Sequence, residues 1–348
     1  MTRHLKVSVL SDTKAIKEAT FGDILIIDFK KAIPYTKVSD TTALKSLSVL
    51  ETDIIYKKIE KIFSQPNRID KVSIFGTTAE NDSIKSELDN MWAKNKGYYF
   101  VLMSEFDNDK TKSVIEWAVG KGLRPVYLTD NNKTADEAIA FFKKLNNGAI
   151  AFATNKADDY PDAIYVGLMC TDIPGRDKWE WKEGTGTVVS GFDLADIDKL
   201  EEAGINTVQE EREGVLGLFP GKCSNGEFID IEWGRDNLQY DIETAFIRAE
   251  KAPYKIYHPG VDPRGITQIE GIVNSVIKDY ASDFREFIAK DEQGKVRAKI
   301  NVKTEYTQQQ IAAREFEVAW AAIPSGSASY GEIKGLLTFD KTKVGGVS

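Results

Sequence analysis

"DKTKSVIEWAVGKGLRPVYLTD", Asp109 to Asp130, is the stretch on which the fold turns. "DKTKSVIEWAVGKG" reads as a helix closed by glycine, and "RPVYLTD" follows it as an apolar strand with a short connection between them. The same couplet recurs on both sides. Upstream, "DIIYKKIEKIFSQ" reads as a helix with Ile55, Ile59, Ile62 and Phe63 on one face, and "KVSIFGT" as a strand. "NDSIKSELDNMWAKN" then reads as a helix capped by Asn81 or Asp82, before the strand "YYFVLMS". Downstream, Thr134 and Glu137 stand in capping-box spacing at the head of "TADEAIAFFKKLNNG", and "AIAFAT" is the next strand. Apolar strands alternating with helices argue for an α/β layer with parallel strands. "FGDILIIDF" (21–29) reads as a further buried strand, followed by a polar stretch rich in Thr, Ser and Lys.

The rhythm changes at "DIPGRDKWEWKEGTGTVVSG" (172–191), a connector rich in Gly and Trp. Beyond it, "GFDLADIDKLEEAGINTVQEE" (191–211) predicts a helix capped by Asp193 and closed by Gly204, with Leu194, Ile197, Leu200 and Ala203 as its apolar stripe. Two long helices follow. "DNLQYDIETAFIRAE" carries Leu238, Ile242, Ala245, Phe246 and Ala249 on one side. "TQIEGIVNSVIKDYASDFREFI" starts from a Thr267–Glu270 capping box and extends its stripe to Phe284. "KVRAKINV", "EFEVAWAAI" and "IKGLLTF" read as strands, with "PSGSASYGE" (324–332) as a soft hinge before the last. The fold expected is mixed α/β (α+β), an N-terminal α/β layer domain plus a C-terminal α+β domain with strand-like terminal arms. The divisions fall at an arm 1–20, an α/β domain 21–185, an α+β domain 186–323, and a hinge and arm 324–348.

Composition bounds the function. The chain has 348 residues, a formal net charge of −8, 42% hydrophobic and 29% charged residues, an ordinary soluble balance. The negative charge argues against nucleic acid or an anionic membrane as partner. The longest apolar runs, "GAIAFA" (148–153) and "AIYVGLM" (163–169), are too short to span a bilayer, so no membrane insertion is expected. Two separated cysteines, Cys170 and Cys223, exclude a disulfide framework and point to a reducing compartment.

Catalytic chemistry finds no purchase. The only histidines are His4 and His258, too few for metal sites or most acid–base schemes. "GTGTVVSG" places its third glycine too late for a dinucleotide loop, and "GLFPGKC" is one residue short of a phosphate loop, with Cys223 where Ser or Thr would hold magnesium. "EFDNDKTKSVIE" has calcium-loop offsets but Lys110 at the obligatory glycine, and reads better as a strand end and a helix cap. No catalytic residue, cofactor site or metal site is assigned, and the chain is read as a non-enzyme. What remains are terminal strands without evident partners: Leu5, Val7 and Val9 in the N-terminal arm, and Ile333, Leu336 and Leu337 in the C-terminal one. Such strands either return to the chain's own sheet or add to a neighbour's.

The order of segments resembles the compact tail-sheath proteins of contractile bacteriophage tails and related phage-tail-like particles. The resemblance runs from about 20 to 320, through "FGDILIID", "IEKIFSQPNRIDKVSIFG", "MWAKNKGYYFVLMSE", "AIYVGLMCTDIPGRDKWEWKEGTGTV", "DIDKLEEAGINTV", "GEFIDIEWGRDNLQYDIETAF" and "GITQIEGIVNSVIKDY". It implies a structural subunit that polymerises helically around a tail tube and contracts to drive that tube through the host envelope. The C-terminal domain would lie inward against the tube and the α/β domain outward. The six arm residues would mediate inter-subunit strand exchange. The partners implied are further copies of the chain, the tail tube protein, and baseplate and tail terminator proteins. The location implied is the virion tail, after assembly in the host cytoplasm. The alternatives are another tail or baseplate component of the same fold, and an α/β enzyme without a recognisable motif.

Overall fold

The computed structural model describes residues 21–145 and 148–328. It opens with β1 (Ile24–Asp28), every residue of which is buried, and β2 (Ile33–Val38). A short helix α1 (Thr42–Lys45) leads to α2 (Ile54–Phe63), whose Ile55, Ile59 and Ile62 face the core as the spacing predicts. Then β3 (Val72–Gly76), α3 (Asn81–Lys94), β4 (Phe100–Met103), α4 (Asn108–Gly120), β5 (Arg124–Leu128), α5 (Ala135–Phe142) and β6 (Ile150–Phe152) alternate.

These strands form one sheet in the order β2-β3-β1-β4-β5-β6. The five from β3 to β6 run parallel, as the rhythm of the sequence requires. The sixth strand, β2, adds an antiparallel edge that the sequence reading did not identify, because it pairs antiparallel with β3. It lies inside the stretch read as polar. Its Pro34, Thr36 and Lys37 are edge-strand residues, since an edge needs only one apolar face and one row of donors.

Helix ends follow local chemistry. Asp107 caps α4 by accepting from the N–H groups of Asp109 and Lys110, so the calcium-like acids are indeed a cap. Thr134 and Glu137 close a reciprocal capping box on α5. The Asn81 or Asp82 cap is corrected: Glu80 stands at that position without a side-chain bond, and Asn81 accepts from the Ser113 hydroxyl at 2.6 Å instead.

The run "AIYVGLM" becomes α6 (Pro161–Met169), buried on almost every side against α2 and the sheet. Gly167 permits that approach, because a Cβ there would stand 2.8 Å from Ile62 Cα. Next comes α7 (Leu194–Ala203), capped by Asp193 and ended by Gly204 at φ 83° as read from sequence. Its apolar stripe is corrected, because Leu200 alone is buried and Leu194 is 79% exposed.

The hairpin β7 (Thr207–Arg212) and β8 (Val215–Phe219) precedes α8 (Ile229–Lys251) and α9 (Arg264–Tyr280). The start of α9 departs from expectation. Pro263 stands at its N-cap, so Thr267 lies inside the helix, and Phe284 falls beyond its end, 67% exposed. The described chain closes with β9 (Ala298–Val302), α10 (Gln308–Ala312) and β10 (Val318–Ala322).

Among the described residues, buried apolar side chains gather in two clusters. The first runs from Phe21 to Trp233 and contains the six-stranded sheet. Trp179, from the Gly- and Trp-rich connector, is fully buried in it against Phe100 and Trp233. The second comprises Leu238, Ile242 and Phe246 of α8, with Ile269, Val273 and Ile277 of α9 and Val302 of β9. At 1.5 Å per residue α8 is roughly 35 Å long, and it feeds both clusters.

Candidate functional site

The feature that best fits association is the β9–β10 ribbon. Val318 pairs with Val302, Trp320 with Ile300 and Ala322 with Ala298, antiparallel throughout. On the inner face Ile300, Val318 and Trp320 pack toward α9 yet remain only half-buried. Lys303 donates its N–H to Glu317 and Ile323 donates to Arg297, so alternate residues between them carry the ladder bonds. The N–H groups of Ile300 and Trp320 therefore point to the two outer edges of the ribbon. Neither strand has a second strand beside it among the described residues. One end of the ribbon is tied down by Ala289, which bonds to Ile323 and to Arg297. A two-stranded ribbon is marginal on its own, and edges of this kind accept further strands.

The six residues named for strand exchange, Leu5, Val7, Val9, Ile333, Leu336 and Leu337, lie outside the described residues, as does His4. The sequence identified β9 and β10 as strands by their alternation but held no signal that they pair with each other.

A second constellation is a buried ion network. Arg124 of β5 bonds Glu232 at 2.9 Å and also Asp236, both on α8. Its Nη1 donates to the Gly148 carbonyl at 2.6 Å, and Nε donates to the Tyr99 hydroxyl at 3.2 Å. Tyr99 in turn donates to Asp236 at 2.7 Å, and burial pushes its phenol well above the usual range. This network clips α8 to the amino end of the parallel sheet. Sequence reasoning missed it, because Arg124 and Asp236 are 112 residues apart.

The enzyme-like candidates resolve into structure. A cavity of about 450 Å³ at the carboxyl ends of β4 and β5 is lined by Lys57, Lys58, Ser104, Thr129 and Tyr160, among others. Lys58 is fully buried, bonded to Asp162 at 2.5 Å and to the Met103 carbonyl at 2.7 Å, while Lys57 is bonded to Asp158. Both lysines are thus held as ion pairs. Neighbouring Asp159 is raised to about 6 by burial. Gly217–Phe219 of "GLFPGKC" belong to β8, and Gly184 and Thr187 of "GTGTVVSG" bond each other in a turn. His258 pins a loop, its Nε2 2.7 Å from the Glu315 carbonyl and its Nδ1 accepting from Gly260. Cys170 and Cys223 are free and buried; burial pushes the Cys170 thiol up to about 12 and the Cys223 thiol higher still. Among the described residues, no group of three or more His, Cys, Asp or Glu is placed to hold a metal ion, and no helix is long and apolar enough to cross a membrane.

No protein-family model matches the chain, and no curated protein matches it. Solved structures do. The chain is similar to one in the cryo-EM structure of an extracellular contractile injection system, the PVC sheath complex in its contracted state. The TM-score is 0.67 at 11% identity, covering 99% of each chain. It is also similar to a chain of the anti-feeding prophage (AFP) baseplate, 6-fold symmetrised, with a TM-score of 0.65 at 10% identity over 97% of this chain and 99% of that one. At such identities the likeness is one of fold. The class is therefore that of a mixed α/β, sheath-like fold, shared with a chain of a contractile injection system.

Proposed function

We propose that this chain is a structural subunit of a contractile sheath, polymerising helically around an inner tube and shortening to drive that tube forward. The observation that carries the reading is the likeness in fold to the PVC sheath chain over 99% of both chains. In this reading residues 21–185 lie outward and residues 186–323 inward against the tube. The arms, 1–20 and 324–348, link neighbours by strand addition, Leu5, Val7 and Val9 from one side and Ile333, Leu336 and Leu337 from the other. The open edges of the β9–β10 ribbon are the acceptors this exchange requires. Each added backbone hydrogen bond contributes only about 0.5–1.5 kcal/mol, and cohesion arises from several bonds to several neighbours at once. Contraction needs a second lattice packing of lower free energy, reached without breaking those links. The subunit acts with the tube, baseplate and terminator proteins of a phage tail or tail-like particle, assembles in the producing cell, and performs no catalysis.

A second reading, a baseplate component, is favoured by the likeness to the AFP baseplate chain. Electron microscopy of the purified protein separates the two. A sheath subunit gives helical tubes of uniform width, whereas a baseplate component gives closed rings.

A further inference from the structure

The chain's charge is unevenly distributed. Between 191 and 213 stand eight carboxylates and two cations, Lys199 and Arg212, which accounts for most of the net charge of −8. Lys199 is engaged by Asp196 and Asp136. On the exposed side of α7, Leu194, Asp198 and Glu202 recur every fourth residue, and Glu211 near the end of β7 and Glu213 in the β7–β8 turn are exposed as well. None of these four carboxylates has an ion pair among the described residues. Leu194, 79% exposed, puts an apolar knob in this acidic face.

The solvent face of the β9–β10 ribbon has the opposite character. Lys299 stands on β9, with Lys295 and Arg297 just before the strand and Lys303 just after it, and no acid occurs from 294 to 303. All but Lys303 are exposed, and only Lys303 has an ion pair among the described residues, with Glu317. Ala321 stands opposite Lys299 and Ala319 opposite Asn301, continuing into Ile323, which is 52% exposed. Asp291 and Glu292 lie at the turn before this face, and Asp291 is turned onto the N–H groups of Gln293 and Lys295. The ribbon therefore presents a basic row beside a strip of small apolar side chains.

We propose that these two faces dock on one another in successive copies of this chain, the acidic α7 and β7–β8 face of one meeting the basic face of the β9–β10 ribbon of the next. Leu194 sits over Ala319, Ala321 and Ile323, and the carboxylates of α7 meet Lys295, Arg297 and Lys299. The contact joins two different patches of the same molecule, so it is head-to-tail and propagates. Charge complementarity of this kind fixes register and speeds encounter, and salt screens it, because the Debye length is about 10 Å at 0.1 M. The inference rests on the sheath reading for its helical outcome and stands apart from strand exchange, which uses the edges of the ribbon and not its face.

The test uses the full-length protein in three forms: Asp198→Lys with Glu202→Lys, Lys295→Glu with Lys299→Glu, and all four changes together. Circular dichroism checks each fold, and sedimentation velocity at low and high salt reads self-association. Each two-site variant should associate about tenfold more weakly than wild type at low salt, as attraction becomes repulsion, and the four-site variant should recover. High salt should weaken wild type and narrow these differences. Two-site variants that associate as wild type overturn the proposal, as does a folded four-site variant that fails to recover. Electron microscopy of wild type reports separately on the sheath reading. Rings that obey the charge swap refute the helix and keep the docking, whereas a wild type monomeric at low salt refutes both.

Discussion

Arg124 is the centre of a buried ion network that joins α8 to the sheet. Its guanidinium is buried between Glu232, Asp236, Tyr99 and the Gly148 carbonyl. Removing it leaves the buried Asp236 without its cation and Glu232 with Arg235 alone, a loss of about 3–5 kcal/mol. Arg124→Met should therefore lower the urea midpoint sharply with an unchanged denaturant slope, and a loss below about 1 kcal/mol would contradict the role given to the network. Asp159 behaves in the opposite sense. Burial raises it from 3.8 to about 6, and its Oδ1 has no hydrogen-bond partner among the described residues. Between those two values the folded chain holds a proton that the unfolded chain has released. Its contribution to stability is thus complete below about pH 4 and lost as pH rises through about 6. Asp159→Asn should stabilise the protein at pH 7 by on the order of 2 kcal/mol, with the gain vanishing toward pH 4. A gain that is independent of pH would show that ionisation is not its cause.

Among the elements, those with one apolar face and a local cap were legible in the sequence. The helices α2, α4 and α5 follow directly from spacing, from Asp107 and from the Thr134–Glu137 box. Legibility failed where tertiary packing sets the pattern. Helix α6 is buried all round, so it shows no amphipathic period, and β2 is an edge with mixed chemistry. The stripe on α7 is real as a pattern, yet only Leu200 is covered by this chain's own core. At the ribbon, alternation marked both strands, while their pairing and the Arg124 network depend on contacts distant in sequence. The ribbon also yields a prediction at this scale. Ile300→Pro removes an N–H that points to the outer edge, and Ile300→Ala removes similar packing while keeping that N–H. Both variants should fold with comparable melting temperatures, and the proline variant alone should lose assembly. Equal assembly by the two would show that this edge receives no strand.

At the scale of the molecule, the described residues form two apolar clusters fed by one long helix, α8, whose Ile229 and Trp233 belong to the first and whose Leu238, Ile242 and Phe246 belong to the second. The Arg124 network fixes the first half of that helix to the sheet, and α9 packs along the second half. Under the sheath proposal, a body held in this way would transmit force between its two halves. Deleting residues 1–10 or 333–348 should leave a folded monomer that no longer polymerises, and Val7→Pro should do the same more mildly. Unfolding on either deletion would mean that the strand belongs to the chain's own core. The most direct measurement is negative-stain electron microscopy of the concentrated full-length protein at low and high salt, beside the two deletions. The sheath account predicts helical tubes of uniform width from the full-length chain and none from either deletion. Closed rings or monomers from the full-length chain at both salt levels, or tubes that survive both deletions, would contradict it.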